Sequence, residues 1–201
     1  MDRPLPSHVP QIMVCSKCNS GFSKDEEYFA IFLSCILAGT TDPAKQKNLN
    51  FQRALARNRS LLKRIENSKE IYLPKGEDES KTIWHPENDR INRVVLKNAR
   101  GHAYFEFGEP IPDEPDYVWA RPLETLSESE RNDFEATSIA GFSAWPEVGS
   151  RMMTRVVGGQ DLIDGWVVVQ DNVYRYFAVQ AGTMLVRTVI WGYLATEVYW
   201  G

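Results

Sequence analysis

The sequence predicts an α+β protein with a helical N-terminal region and a C-terminal antiparallel β meander. Helix-capping patterns dominate the first 108 residues, whereas runs of β-branched and aromatic residues dominate from Arg151 onward. The composition, 43% hydrophobic and 25% charged residues in a chain of 201, is typical of a globular protein with a sizeable core. It excludes a fibrous or wholly disordered chain.

The first predicted helix begins at Ser23 and ends before Gly39. Ser23 and Glu26 have the spacing of a capping box, in which each side chain accepts a hydrogen bond from the other residue's backbone. The apolar residues 28–38 form the helix body, and glycine commonly follows a helix C-terminus. Residues 15–22, which precede this helix, are predicted to form a tight knuckle.

A second helix is predicted from Pro43, behind the N-cap Asp42, to about Lys69. Its apolar positions are sparse and its polar face is basic. That face contains Arg53, Arg57, Arg59, Lys63 and Arg64. Two interpretations stay open: a solvated helix face, or a surface that binds the phosphates of a nucleic acid.

Two further helices and a strand are predicted before the sheet. A short strand at residues 82–85 precedes a helix that begins at Pro86 and ends before Gly108. Ser127 and Glu130 have the spacing of a second capping box, which predicts the start of a short acidic helix.

Residues 151–200 are predicted to form an antiparallel meander of about four strands. Asp171-Asn172 and Ala181-Gly182 separate runs of β-branched and aromatic residues at the spacing of hairpin turns.

Charge is distributed unevenly along the chain. Residues 1–64 contain ten Lys or Arg against five Asp or Glu, whereas residues 101–150 contain two against eleven. The acidic, proline-rich segment 109–116 is the predicted boundary between a region 1–108 and a region 117–201, with a single domain as the alternative. The front of the chain can therefore face phosphates, and its middle cannot.

The sequence shows no membrane or secretion signal. No apolar run reaches the ~20 residues that a membrane-spanning helix requires, and the first ten residues lack the apolar core of a signal peptide. Three cysteines do not make a disulfide framework in a chain of this length. We therefore expect a cytoplasmic protein with no membrane partner.

Cys15 and Cys18 form a C-x-x-C pair, the one motif with specific chemistry. Two thiolates at this spacing can share a tetrahedral Zn²⁺, which usually takes four ligands in a structural site. The sequence contains no second such pair, and Cys35 is predicted to be a buried thiol. Four interpretations stay open: a site completed by His8 and a further histidine, a redox pair, a half-site once shared with cysteines that are not on this chain, or coincidence.

Residues 14–29, V-C-S-K-C-N-S-G-F-S-K-D-E-E-Y-F, resemble the second half of an HNH endonuclease domain. In that family two C-x-x-C knuckles hold a structural zinc, and a ββα unit holds a catalytic divalent ion. The resemblance implies that Cys15 and Cys18 supply half of the zinc site and that Asn19 helps to hold a catalytic Mg²⁺ or Mn²⁺. The first zinc pair of the family has no counterpart here.

His8 is the candidate general base that the resemblance implies. Residues 8–10, H-V-P, superficially copy the family's Asp/Glu-His-x-x-Pro signature, although Ser7 replaces the acidic residue. The family's histidine also lies further upstream of the cysteines. The resemblance thus implies metal-dependent hydrolysis of DNA phosphodiester bonds, by an active enzyme or by a truncated or inactive copy of one.

Two alternatives to a nuclease remain. The first is a non-catalytic interaction module, in which Cys15 and Cys18 of two chains share one zinc and join a homodimer. The second is an α+β protein that binds no metal.

Overall fold

The computed structural model describes residues 9–73, 80–137, 146, 148–159 and 162–201. The predicted α+β class is confirmed: a helical region precedes a six-stranded antiparallel sheet along the chain, and two short helices lie between the first strand of that sheet and the next.

The chain divides into two compact units. The helical unit is Cys15–Val94, and the sheet unit comprises Val95–Gly201 with the described residues of the first fourteen. The division falls inside helix α4 (Asn88–Phe107), and the expected boundary segment 109–116 lies within the sheet unit.

Helix α1 (Ser16–Ala38) begins earlier than predicted, so the knuckle and the capping box at Ser23 are both wrong. The backbone N–H of Asn19 already donates to the Cys15 carbonyl (3.0 Å), and the Ser23 hydroxyl donates to the Ser20 carbonyl inside the helix. A serine caps a helix only where the chain turns away from helical geometry, and nothing in residues 16–22 forces such a turn.

The buried stripe of α1 anchors the helical unit. Tyr28, Ile31, Phe32 and Cys35 follow one another at the spacing of one helix face, and each is almost wholly buried. The prediction of a buried Cys35 is confirmed. As predicted, the helix ends before Gly39, which has a φ of +65° that favours glycine.

The predicted second helix is divided into three pieces: a 3-10 turn at Pro43–Lys45, helix α2 (Leu49–Arg57) and helix α3 (Arg59–Glu66). Asp42 caps the first piece, as predicted. Asn58 makes the main break, because its backbone N–H ends α2 on the Ala54 carbonyl while its side chain accepts from the Leu61 N–H and starts α3. Asparagine stabilises such ends by bonding to the backbone.

Two short strands, β1 (Lys69–Tyr72) and β2 (Lys81–Trp84), pair as an antiparallel hairpin in the helical unit. The predicted strand at 82–85 corresponds to β2. β1 takes the place of the expected end of the second helix.

The strands of the sheet are β3 (Tyr117–Pro122), β4 (Leu162–Ile163), β5 (Trp166–Gln170), β6 (Tyr174–Gln180), β7 (Met184–Ile190) and β8 (Leu194–Trp200). They lie in the order β3-β8-β7-β6-β5-β4, with all neighbours antiparallel. β4 to β8 form a meander of five strands where about four were predicted. Both predicted turns are confirmed, and Asn172 and Gly182 have the positive φ that tight hairpin turns require.

Two further helices belong to the sheet unit. Helix α5 (Glu128–Glu135) begins with the predicted capping box of Ser127 and Glu130. Helix α6 (Arg151–Gly158) corrects the expectation of a strand, since Ser150 caps it by accepting from the Met153 N–H (3.1 Å). The β-branched run that predicted a strand there is too short to outweigh this cap.

The two faces of the sheet pack differently because neighbouring side chains of a strand point to opposite faces. Tyr174 and Tyr176 of β6 contact the C-terminal part of α4. On the other face, Phe177 and Trp166 belong to a hydrophobic core that also includes Phe134 of α5.

Candidate nucleic-acid interface

Helix α2 separates its apolar and basic side chains by face. Leu55 is fully buried. Arg53 and Arg57 lie two positions before and after it, which is the opposite side of an α-helix. Both arginines are exposed.

Helix α3 repeats this arrangement. Leu61 and Ile65 are buried one turn apart. Arg59 and Lys63 each lie two positions before one of these residues, so they occupy the outer side, and both are exposed together with Arg64. Arg53, Arg57, Arg59, Lys63 and Arg64 are called the basic face below.

The segment that contains the basic face has no acidic residue in its sequence. Residues 43–65 contain seven Lys or Arg and no Asp or Glu; the two outside the basic face are Lys45 and Lys47. Arg64 forms an ion pair with Glu87 (2.9 Å). Among the described residues, no carboxylate pairs with the other four side chains of the basic face, which leaves them able to bind phosphate.

A network of hydrogen bonds around Gln46 connects helix α2 to helix α1. Gln46 is buried; its amide nitrogen donates to the Thr40 carbonyl (2.8 Å) and its oxygen accepts from the Ser34 hydroxyl (2.8 Å). Its backbone carbonyl accepts from the Gln52 side chain of α2 (2.7 Å). These bonds tie the start of α2 to helix α1, because buried polar groups are costly to leave unpaired.

Asp25 joins helices α1 and α4 within the helical unit. Its two carboxylate oxygens accept from Arg90 and Arg93 (2.8 Å each), and the carboxylate is nearly buried. Arg90 also pairs with Glu87 (2.8 Å), the partner of Arg64. Asp25 lies in the middle of α1, where it forms this ion-pair network.

The structure places the candidate zinc and metal residues at the start of α1. Cys15 directly precedes the helix, and Cys18 and Asn19 belong to its first turn. Cys15 and Asn19 are exposed; the side chain of Cys18 and the whole of His8 lie outside the described residues. Within the described part of the chain, no group of three or more His, Cys, Asp or Glu side chains could hold a metal ion.

Sequence reasoning missed a buried polar cluster in the sheet unit: His102 and Glu106 of α4, Arg155 of α6, and Tyr174 and Tyr176 of β6. Glu106 is fully buried and accepts from Arg155 Nε (3.1 and 3.2 Å) and from the Tyr176 hydroxyl. Only the i, i+4 spacing of the two α4 residues could have suggested a shared face.

His102 occupies the apolar end of this cluster. Its ring stacks on Tyr176 at 3.9 Å between centroids, and its Nε2 lies 2.6 Å from the Tyr174 hydroxyl. Its Nδ1 is buried without a hydrogen-bond partner among the residues that the structure describes. Burial lowers the pKa of His102 to about 3, so the imidazole is neutral at pH 7.

No protein-family model, curated protein or solved structure matches the chain. Every helix within the described residues is too short or too polar to cross a bilayer.

Proposed function

We propose that the protein binds DNA through the phosphate backbone, using the basic face of α2 and α3. The observation that supports this proposal is the charge of residues 43–65, which include seven basic side chains and no acidic one; five of the seven lie on α2 and α3, whose buried residues are Leu55, Leu61 and Ile65. The resemblance of residues 14–29 to HNH endonucleases favours DNA as the polyanion.

Phosphate binding has a measurable signature. Each Lys or Arg that neutralises a phosphate of B-DNA releases counterions, so that log K falls with log[salt] by about 0.9 per contact. Four basic-face residues pair with no carboxylate in the described part of the chain, and they predict a slope of about −3.6 if each binds one phosphate.

The test is fluorescence anisotropy of a labelled 20-base-pair duplex, titrated with the full chain over a series of NaCl concentrations. In the double variant Arg53→Gln/Arg57→Gln we expect about tenfold weaker binding and a slope reduced by about 2. The matched control is Lys17→Gln/Lys24→Gln, which removes two exposed charges from α1. Equal losses in both variants would overturn the assignment of the basic face.

Hydrolysis of DNA is a separate expectation, which comes from the resemblance alone. The described residues do not supply the ligand set that a catalytic Mg²⁺ or Mn²⁺ requires, and so we derive no hydrolytic step. A plasmid-nicking assay of the full chain with each ion tests it. Nicking that disappears in Asn19→Ala would support the family's reaction, and unchanged nicking in that variant would exclude the role of Asn19.

A zinc-bridged homodimer is the second candidate function. It is favoured by the exposure of Cys15 at the start of α1, where a second chain can reach it. Elemental analysis with mass in solution tests it: one zinc per two chains in a dimer supports it, and a monomer without zinc contradicts it.

A further inference from the structure

A cleft of about 300 Å³ lies in the sheet unit between helix α5 and strands β4 to β6. Arg131 and Glu135, one turn apart, line it from the helix. Trp166 and Val168 line it from one face of β5, and Gln170 lines it beyond the register shift that separates it from Val168. This volume suits a small polar molecule.

Trp166 provides an unused hydrogen-bond donor at this cleft. The residue is 1% exposed, and its indole Nε1 is buried with no acceptor among the described residues. A buried indole N–H usually has a partner, because leaving it unpaired destabilises the folded state. A ligand oxygen in the cleft would supply the missing acceptor.

Two arginine guanidinium groups line the cleft together with the Trp166 indole. Arg175 lies over the Trp166 ring, with its Cζ 4.4 Å from the ring centroid, and its Nη2 donates to both carboxylate oxygens of Glu135 (2.7 and 2.9 Å). The Nε and Nη1 groups of Arg175 make no bond within the described structure, and Arg131 is an exposed second guanidinium. Such donors are suited to binding a carboxylate or another oxyanion.

Carboxylates also line the cleft, and they restrict the charge of the ligand that it can bind. Asp164 and Asp171 line it from the turns beside β4 and β5, and Glu135 is engaged by Arg175. With three acids against two arginines among the described lining residues, a doubly charged phosphate ester would be repelled. A ligand with one carboxylate next to one ammonium group would pair with both the hydrogen-bond donors and the carboxylates of the cleft.

We propose that this cleft binds a small zwitterion of the α-amino-acid class. Its carboxylate binds Arg131, Arg175 and the Trp166 indole N–H. Its ammonium group faces Asp164 and Asp171. This inference is independent of DNA binding, because the basic face belongs to the helical unit.

The experiment follows the indole N–H resonance of Trp166 by ¹H–¹⁵N NMR on the full chain, with the six tryptophan signals assigned by triple-resonance spectra. The probes are L-alanine, L-leucine, L-glutamate and L-lysine, with inorganic phosphate and ethylamine for comparison. We expect a saturable downfield shift with at least one amino acid, and none with phosphate or ethylamine. A shift with phosphate alone would overturn the ligand class, and no shift with any probe at 10 mM, roughly tenfold above a millimolar Kd, would overturn the site.

Arg131→Gln should weaken the amino acid's affinity about tenfold, because it removes one charged hydrogen bond from an exposed position. Glu128→Gln is the matched control on the same helix, and we expect it to leave the affinity within about twofold, since Glu128 does not line the cleft. Equal affinities in the two variants would exclude Arg131 from the site.

Discussion

At the scale of single residues, Glu106 departs furthest from what its sequence neighbours suggest. It is followed by an acidic, proline-rich stretch that is mostly exposed, yet its carboxylate is fully buried. Arg155 and Tyr176 supply its hydrogen bonds, and they lie 49 and 70 positions away in sequence. Burial of a charge is tolerated only with such partners, so this residue depends on the fold rather than on local sequence.

Glu106→Gln tests the strength of this buried ion pair. We expect the free energy of unfolding to fall by about 3 to 5 kcal/mol, because the neutral amide no longer compensates the buried charge of Arg155. Urea denaturation followed by circular dichroism measures it. Glu130→Gln, which breaks the exposed pair with Arg121 (2.8 Å), is the control and should cost less than about 1 kcal/mol. Equal small losses in both variants would contradict the account of Glu106.

His102 predicts a loss of stability in acid. Burial lowers its pKa from 6.5 to about 3, so the unfolded chain binds the proton more readily. The contribution of neutral His102 to the free energy of unfolding is complete above pH 6.5. It falls as the pH drops towards 3, by about 3 kcal/mol at pH 4. His102→Leu removes this contribution. The difference in unfolding free energy between variant and wild type should therefore change between pH 7 and pH 4, and a constant difference would show that His102 does not titrate in this way.

At the scale of elements, side-chain caps explain both the successes and the errors of sequence reasoning. The box at Ser127 was correct because the backbone of Leu126 and Ser127 is extended, so the helix begins after Ser127. The same pattern at Ser23 failed because α1 extends back to Ser16. The break at Asn58 went unnoticed because asparagine also occurs within exposed helix surfaces. A capping motif thus marks an end only where the preceding backbone leaves helical geometry.

Asn58→Ala is the corresponding test. It removes the side-chain acceptor for the Leu61 N–H (3.0 Å) and should lower the free energy of unfolding by about 1 kcal/mol. Asn50→Ala on α2 is the control, since its exposed side chain makes no bond within the described structure. Thermal or urea unfolding distinguishes them, and equal stability of the two variants would contradict the capping role of Asn58.

At the scale of the whole molecule, charge is the property that bears on function. Residues 1–64 are basic and residues 101–150 are acidic, and the basic excess is concentrated on helices α2 and α3. Phosphate contacts position a protein on DNA without reading its sequence. The proposed interface therefore gives affinity without base specificity.

This predicts that two 20-base-pair duplexes of unrelated sequence compete for the protein with inhibition constants within about threefold of each other. Competition against the labelled duplex at one salt concentration measures it. A preference of a hundredfold or more would instead require base contacts in a groove, which the proposed interface does not provide.

The sequence by itself determined the fold class, the end of α1, the body of α4, the cap of α5 and the two hairpin turns. It also predicted the basic side chains of α2 and α3. Each of these features depends on residues within a few positions of one another, and local hydrogen bonds and periodicity encode them directly.

Only the tertiary structure decided the rest. It paired β3 with β8, joined His102 to Tyr174 across 72 positions and brought α5 over β5 to form the cleft. It also placed Cys15 and Cys18 at the start of a helix rather than in a knuckle. These outcomes depend on contacts between distant segments, whose free energies outweigh local preferences and leave no periodic pattern in the sequence.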